Sequence, residues 1–159
     1  MSEQSPNAGA EGQDIPSDLK VPNGNALCLQ AFGKGVQIYA CPAGPTTPAK
    51  PHAILLKGDR DEGDLVAIHY AGPTWEATDG SKVVGEKVAS APAPDSDGVD
   101  WLLLKAKSHE GDGEFNQVTY IQRLYTDGGK APEGGCNQDQ GEVLVEYGAQ
   151  YLFYAAVAE

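Results

Sequence analysis

Short runs of β-forming residues, each ended by turn-forming residues, follow one another along most of this chain. Residues 36–41, 65–70 and 82–89 are three such runs, rich in Val, Ile or Leu. A helix would need an apolar stripe with a period of 3.6 residues, and no segment sustains one beyond a turn or two. Asp79-Gly80 is typical of a two-residue hairpin turn, whose central positions require a positive φ. The pattern therefore predicts an all-β fold.

The number and spacing of the runs indicate the architecture. We expect about ten short strands, which favours an antiparallel β-sandwich or a closed β-barrel. Two of the predicted hairpins turn at glycines. Gly33-Lys34-Gly35 is expected to reverse the chain between strands at 26–32 and 36–41, and Gly148 is expected to reverse it between the last two strands.

The first 20 residues differ in composition from the rest. Residues 1–20 are rich in Ser, Glu, Gln, Asn, Asp and Gly, so they offer too little apolar surface to offset the entropy of ordering. We expect a disordered, flexible acidic tail there and a single β domain over residues 21–159. A chain of 159 residues is within the usual size of one domain.

The charge balance limits the partners. Eleven Lys and Arg against 23 Asp and Glu give 11 − 23 = −12, which repels phosphate backbones and anionic membranes. No apolar run approaches the roughly 20 residues that cross a bilayer. We therefore expect no nucleic acid and no membrane partner, and regard a basic protein partner as possible. The polar N-terminus lacks a leader, so the chain is expected to be cytoplasmic, or secreted if a leader was removed.

His69, Glu76 and Asp79 are the candidates for polar chemistry. If the strand after Gly72-Pro73 folds back on the strand before it, His69 can meet Glu76 or Asp79, and a His–carboxylate pair can serve acid–base catalysis or bind a metal. The face of the strand that carries Ile68 is the more apolar one, so His69 is expected on the less buried side. The simpler interpretation makes Asp79 a turn former and His69 a hydrogen-bonding partner of a neighbouring strand.

Aromatic residues alternate with polar ones in several strands. Trp75, Trp101 and Tyr120 are candidate contacts for a small polar ligand or a glycan, because aromatic faces beside fixed hydrogen-bonding groups bind sugars. The alternative is that these rings belong to the core or to cross-strand pairs.

An acidic turn offers a further candidate site. Asp59, Asp61 and Asp64 supply many oxygen atoms in a short span, so a divalent cation is a possible cofactor. The turn does not match the EF-hand pattern, and such runs are more often solvated turns. No cysteine pair has the C-x-x-C spacing of a zinc site.

Several segments resemble the DUF3455 family, a group of bacterial and fungal proteins of unknown function. They are residues 36–41, 71–81, 101–106, 118–123, Gly135-Cys136 and 151–154. The resemblance extends over about residues 21–155. It implies typically secreted proteins in which two cysteines match Cys41 and Cys136, and hence a disulfide between these two. Cys28 is a departure from that pattern.

The family has no established activity to carry over. Some relatives are called malate dehydrogenase, but the sequence has no G-x-G-x-x-G after a strand and no βαβ alternation. It also lacks a G-x-S-x-G nucleophile motif. The sequence therefore favours a non-enzymatic binding module for a small polar ligand or a glycan. The alternatives are a structural or protein-interaction domain with an acidic surface, and a metal-dependent or acid–base enzyme centred on His69.

Overall fold

The chain forms a closed barrel of eight antiparallel strands in the computed structural model, which describes residues 15–41, 48–94, 97–131 and 141–157. The strands are β1 (Asn25–Ala40), β2 (Ala49–Lys57), β3 (Leu65–Tyr70), β4 (Thr74–Ala77), β5 (Lys82–Ala91), β6 (Trp101–Glu110), β7 (Val118–Gly128) and β8 (Glu142–Ala156). Each strand pairs with the next, and β8 pairs with β1. The prediction of an all-β fold is confirmed, with the closed barrel as its form. No helix in the described ranges is long and apolar enough to cross a membrane.

Two predicted hairpins are absent, which explains why the described ranges hold eight strands and not ten. β1 runs straight through Gly33 and Gly35, and β8 runs straight through Gly148. None of the three has a positive φ. They are glycines because neighbours come close: a Cβ at Gly33 would lie 2.7 Å from the ring of Tyr151. The turn predicted at Asp79-Gly80 is confirmed, with Gly80 at φ +96°.

The barrel interior combines large aromatic side chains with very small residues. Trp75, Tyr151 and Phe153 are nearly or fully buried and pack against each other edge to face. The inward positions opposite them are small: the interior cluster includes Ala31, Ala53, Ala67, Ala77 and Ala149. Alternating large and small residues let eight strands close around a filled centre.

A second apolar cluster lies on the outer face of the barrel wall. This outer cluster consists of Leu19, Val21, Trp101, Leu103, Leu124, Leu152 and Tyr154. A 3₁₀-helix, Ser17–Leu19, covers it. Buried Gln122 ties the segment to the wall, because its Nε2 donates to the Leu19 carbonyl at 2.9 Å while its Oε1 accepts from Tyr154 Oη at 2.7 Å. Residues 15–20 are therefore part of the fold and not of a flexible tail; residues 1–14 lie outside the described ranges.

The two ends of the barrel differ. The connections β2–β3, β4–β5 and β6–β7 lie at one end, which we call the base, and the connections β1–β2, β3–β4 and β5–β6 lie at the other, which we call the mouth. Asp79 closes the base, since its carboxylate accepts from Ser81 N at 2.9 Å, Ser81 Oγ at 2.7 Å and Glu114 N at 2.8 Å. Fully buried Phe115 fills the space beneath and stacks on Phe153 at 4.8 Å.

Replacing Gly35 by Ala should destabilise the barrel. A Cβ at Gly35 would overlap the backbone carbonyl of His52 and lie 2.5 Å from Ala53 Cα, and backbone cannot move aside cheaply. We expect Gly35→Ala to lower the free energy of unfolding by about 1–3 kcal/mol in urea denaturation. The control Ser90→Ala, at an exposed position of β5, should stay within about 0.5 kcal/mol of the wild type. Equal stability of the two variants would contradict the close approach.

Removing the Leu19 side chain should show whether the N-terminal segment is part of the fold. Leu19 is fully buried in the outer cluster, so Leu19→Ala should cost about 2–5 kcal/mol of unfolding free energy. Lys20→Ala, one residue along and exposed, is the matched control and should be nearly neutral. The same urea denaturation measures both. A neutral Leu19→Ala would mean that the segment does not stabilise the barrel.

Candidate functional site

A cavity of about 350 Å³ opens at the mouth of the barrel. Its walls come from all eight strands and from the turn 71–73 between β3 and β4. Three kinds of residue matter for its chemistry: planar rings (His69, Trp75 and Tyr151), cations (Lys50, Lys87 and Arg123) and an amide (Gln37). Barrel mouths are a common place for small-molecule sites, because strand ends and turns from every side converge there.

His69 and two aromatic rings form the floor of the cavity. The imidazole stacks on the indole of Trp75, with centroids 4.4 Å apart and planes 13° from parallel. The ring of Tyr151 meets the imidazole edge to face at 5.2 Å. The floor is therefore rigid, because each ring is held by the other two.

The hydrogen bonding of His69 defines its tautomer. Nδ1 lies 2.9 Å from the carbonyl oxygen of Thr74, which can only accept, so Nδ1 carries the proton and Nε2 is left as an acceptor. Burial lowers the pKa of His69 to about 3, and the positive charge of Arg123 acts in the same direction, while the bond to Thr74 opposes them. The ring is thus neutral at physiological pH.

The burial of His69 corrects the sequence prediction for β3. His69 is only 3% exposed, whereas Ile68, on the face expected to be buried, is 42% exposed. Ile68 lies opposite Ile54 on the outside of the barrel. Side-chain hydropathy misleads here because the interior is already filled by aromatic rings from β4 and β8. The inward positions of β3 need small or flat side chains, and Ala67 and His69 provide them.

Three cations line the cavity, and the described part of its lining contains no Asp or Glu. Lys50 and Lys87 are exposed at its rim, while Arg123 points inward from β7 beside Tyr151. The Arg123 guanidinium donates from Nε and Nη2 to the carbonyl oxygen of Asp100 at 3.0 and 2.8 Å. Burial raises the pKa of Tyr151, and the nearby Arg123 partly offsets that rise. The ion pairs within the described residues involve Lys34, Arg60 and Lys82, and none of the three cavity cations.

Two buried hydrogen-bond donors of the cavity have no partner. Nε1 of Trp75 and Nε2 of Gln37 are both buried and unpaired within the described part of the chain. The third such atom there, Nε1 of Trp101, lies in the outer cluster. A buried donor without a partner costs about 1–3 kcal/mol, and native proteins normally satisfy such groups. Trp75 and Gln37 both line the cavity.

The other predicted site residues are not brought together with His69. Glu76 faces outward, where its Oε1 accepts from Tyr70 Oη at 2.8 Å, and Asp79 lies at the base. The structure therefore does not bring His69 together with either carboxylate, which was one of the two alternatives for these residues in the sequence. Trp101 and Tyr120 also lie away from the cavity: Trp101 packs in the outer cluster, and Tyr120 packs against that cluster.

The acidic turn forms an ion pair with a lysine of β1. Asp61 pairs with Lys34 at 2.9 Å, and the described ranges contain no group of three or more His, Cys, Asp or Glu that could hold a metal ion. A cation at Asp59, Asp61 and Asp64 stays a prediction.

Cys41 is disulfide-bonded and Cys28 is free. The predicted partner, Cys136, lies outside the described residues.

Comparison with known proteins supports the resemblance seen in the sequence. The family described as "Protein of unknown function (DUF3455)" matches residues 54–155, nearly two thirds of the chain. The chain belongs to the DUF3455 family. No curated protein and no solved structure matches it. The matched region of this DUF3455 member contains the last four residues of β2, all of β3 to β7, and β8 up to residue 155. It includes ten of the fourteen described residues that line the cavity.

Sequence reasoning found His69 and Trp75 but missed the cations and Gln37. Arg123 had a usable signal, because it is a charged residue that shares a strand face with the apolar Ile121. A charged residue on the buried face of a strand is rarely placed there without a function. Lys50 and Lys87 had no comparable signal, because their role depends on the curvature of the closed barrel.

The neutrality of His69 has a measurable consequence for stability. The unfolded chain protonates this imidazole near pH 6.5, and the folded protein protonates it only near pH 3. The stabilisation that the neutral His69 ring gives the folded state is therefore fully present above pH 6.5 and is lost as the pH falls toward 3. Replacing it by Gln keeps a donor for Thr74 and removes the titration. The stability advantage of the wild type over His69→Gln should shrink by about 2 kcal/mol between pH 6.5 and 4.5, measured by urea denaturation. A constant difference would show that His69 titrates normally.

Proposed function

We propose that this chain is a non-enzymatic binding module that holds one small polar ligand in the mouth of its barrel. The observation that carries the proposal is that two residues lining the cavity each have a buried donor, Trp75 Nε1 and Gln37 Nε2, with no partner among the described residues. A ligand with acceptor atoms would satisfy both, and the same donors would fix its orientation.

The size of the cavity favours a small ligand. A volume of about 350 Å³ is at the lower end of the range for small-molecule sites. Eight strands enclose an interior just wide enough to be filled by side chains or to hold one small molecule. Here both occur, because Phe115 and Phe153 fill the base while the mouth stays open.

The arrangement of the rings favours a small molecule over a glycan. Sugars bind by laying a face on an accessible aromatic ring, but Trp75 is 1% exposed, with one face against His69. Trp101 is 3% exposed and packs against Tyr125. Neither indole offers an open platform, so the glycan version of the binding hypothesis has weaker support.

The chemistry of His69 favours binding over acid–base catalysis. A general base or acid works best with a pKa near the operating pH, whereas burial holds the pKa of His69 at about 3. Its ring instead supplies a flat wall and one acceptor, Nε2. An interaction with a basic protein through the acidic surface stays a prediction, because it rests on net charge alone.

A ligand screen with a blocked cavity tests the proposal. The purified chain is heated with a panel of small polar metabolites and sugars, and a ligand at about 100 times its dissociation constant should add about 2.7 kcal/mol of stability, visible as a shift of several degrees in Tm. Ala49→Phe, which places a ring at the cavity wall, should abolish that shift. Ala26→Phe, at an exposed position of β1 away from the cavity, should preserve it.

Two results would overturn the proposal. One is a panel that stabilises neither the wild type nor Ala26→Phe. The other is a ligand whose shift survives in Ala49→Phe, because that ligand would bind elsewhere on the chain.

A further inference from the structure

We propose that the ligand of this cavity is a compact organic anion, whose carboxylate or phosphate group binds at Arg123, Lys50 and Lys87. The inference rests on the proposed function and specifies the class of ligand. It is carried by the distribution of charge, by the hydrogen bonds of Arg123 and by the polarity of the cavity wall.

The charge distribution at the mouth is opposite to that of the whole protein. The chain has 11 Lys and Arg against 23 Asp and Glu, yet the described residues that line the cavity include three cations and no carboxylate. Cations near one another raise the free energy of the site unless an opposite charge joins them. None of the three is in an ion pair within the described residues. A bound anion would supply the missing charge.

Not all N–H groups of Arg123 are used within the protein. Its Nε and Nη2 both donate to one neutral carbonyl, that of Asp100, which positions the guanidinium but leaves its charge uncompensated. A guanidinium carries five N–H groups. Arg123 also forms a side-chain hydrogen bond with Tyr151, and its remaining N–H groups can bind a planar carboxylate or a phosphate. Arg123 lies across the β7–β8 ladder from Tyr151, so an anion bound there would adjoin the ring floor.

The remaining polar groups also favour an acceptor-rich ligand. Trp75 Nε1 and Gln37 Nε2 are donors, and both are buried and unpaired in the described part of the chain. An ionised carboxylate or phosphate presents acceptors only and would match them. Nε2 of His69 is the acceptor of the floor, so a ligand hydroxyl would have one partner there. A metal cation would meet three positive charges instead.

The net charge of −12 does not prevent anion binding. At physiological ionic strength the Debye length is about 8 Å, so distant surface carboxylates are largely screened. The cations at the mouth act at contact distance, where screening is weak. Local charge therefore decides which ligand binds, while the overall field only slows the approach of an anion.

Matched pairs of probes separate charge from shape. Indole-3-acetate is compared with its neutral amide, indole-3-acetamide, and phenyl phosphate is compared with phenol, by calorimetric titration of the full chain at low and at raised salt. We expect each anion to bind at least about tenfold tighter than its neutral partner, and the preference to weaken as salt is added. The carboxylate and phosphate arms show which head group the site prefers.

Variants place the binding at the three cations. Lys50 and Lys87 are exposed, so the double variant Lys50→Gln/Lys87→Gln should fold and should weaken anion binding by about four- to 25-fold. Lys57→Gln/Lys105→Gln removes two exposed lysines that do not line the cavity and should change nothing. Arg123→Lys keeps the charge but loses the planar fork, so it should weaken the carboxylate more than the neutral amide.

The outcomes distinguish this inference from the proposed function. Anion preference that depends on Lys50 and Lys87 supports both. Equal binding of the acid and its amide, sensitive to Ala49→Phe, overturns the anion inference and leaves the proposed function standing. Anion binding that is equally weakened by the two double variants overturns the placement. If no probe binds and no panel ligand shifts Tm, both proposals fail.

Discussion

β1 and β8 pair antiparallel along nearly their whole lengths, from Asn25 with Ala156 to Ala40 with Glu142, and this ladder turns a row of strands into a ring. Everything else in the structure follows from that closure. A ring has an inside and an outside, so each inward position must fit a fixed internal width. β1 lies so close to its neighbours that Gly33 has no room for a side chain beside Tyr151 of β8, and Gly35 has none beside the backbone of β2. The cavity exists because the same ring is filled at the base and not at the mouth.

The filling of the ring is graded along its axis. At the base, the Asp79 carboxylate joins the β4–β5 turn to the β6–β7 turn, and Phe115 seals the space below them. In the middle, Trp75, Tyr151 and His69 pack as a rigid layer. On the mouth side, the exposed Lys50 and Lys87 also line the cavity. A ligand entering at the mouth would therefore meet charge first and aromatic surface last, an order suited to a molecule with a charged head and an apolar body.

Sequence patterns predicted the features that depend on adjacent residues in the chain. They failed for features that depend on contacts between strands far apart in the sequence. Strand runs and the Asp79-Gly80 turn are local properties, so the all-β fold and that hairpin could be derived from them. The residues around Gly148 do not show whether this glycine forms a turn or makes room for a neighbour. The structure shows the second, because the ring of Phe32 from β1 lies against Gly148. His69 was assigned to the wrong face because hydropathy within β3 cannot report rings supplied by β4 and β8. The clustering of Lys50, Lys87 and Arg123 likewise depends on strands far apart in sequence.

The outer cluster gives the barrel walls of unequal thickness. On one side, β6, β7 and β8 lie between the interior core and the segment at residues 15–21. Gln122 and Leu124 therefore contact this segment and the outer cluster, while Arg123 points into the barrel. On the other side, β2 and β3 have water behind them, with Ile54 and Ile68 partly exposed. Local opening follows the regions with fewest buried contacts. The wall of β6, β7 and β8, which carries Arg123, is thus held from both sides, whereas the β2–β3 wall, which carries Lys50, is the side where local opening is expected.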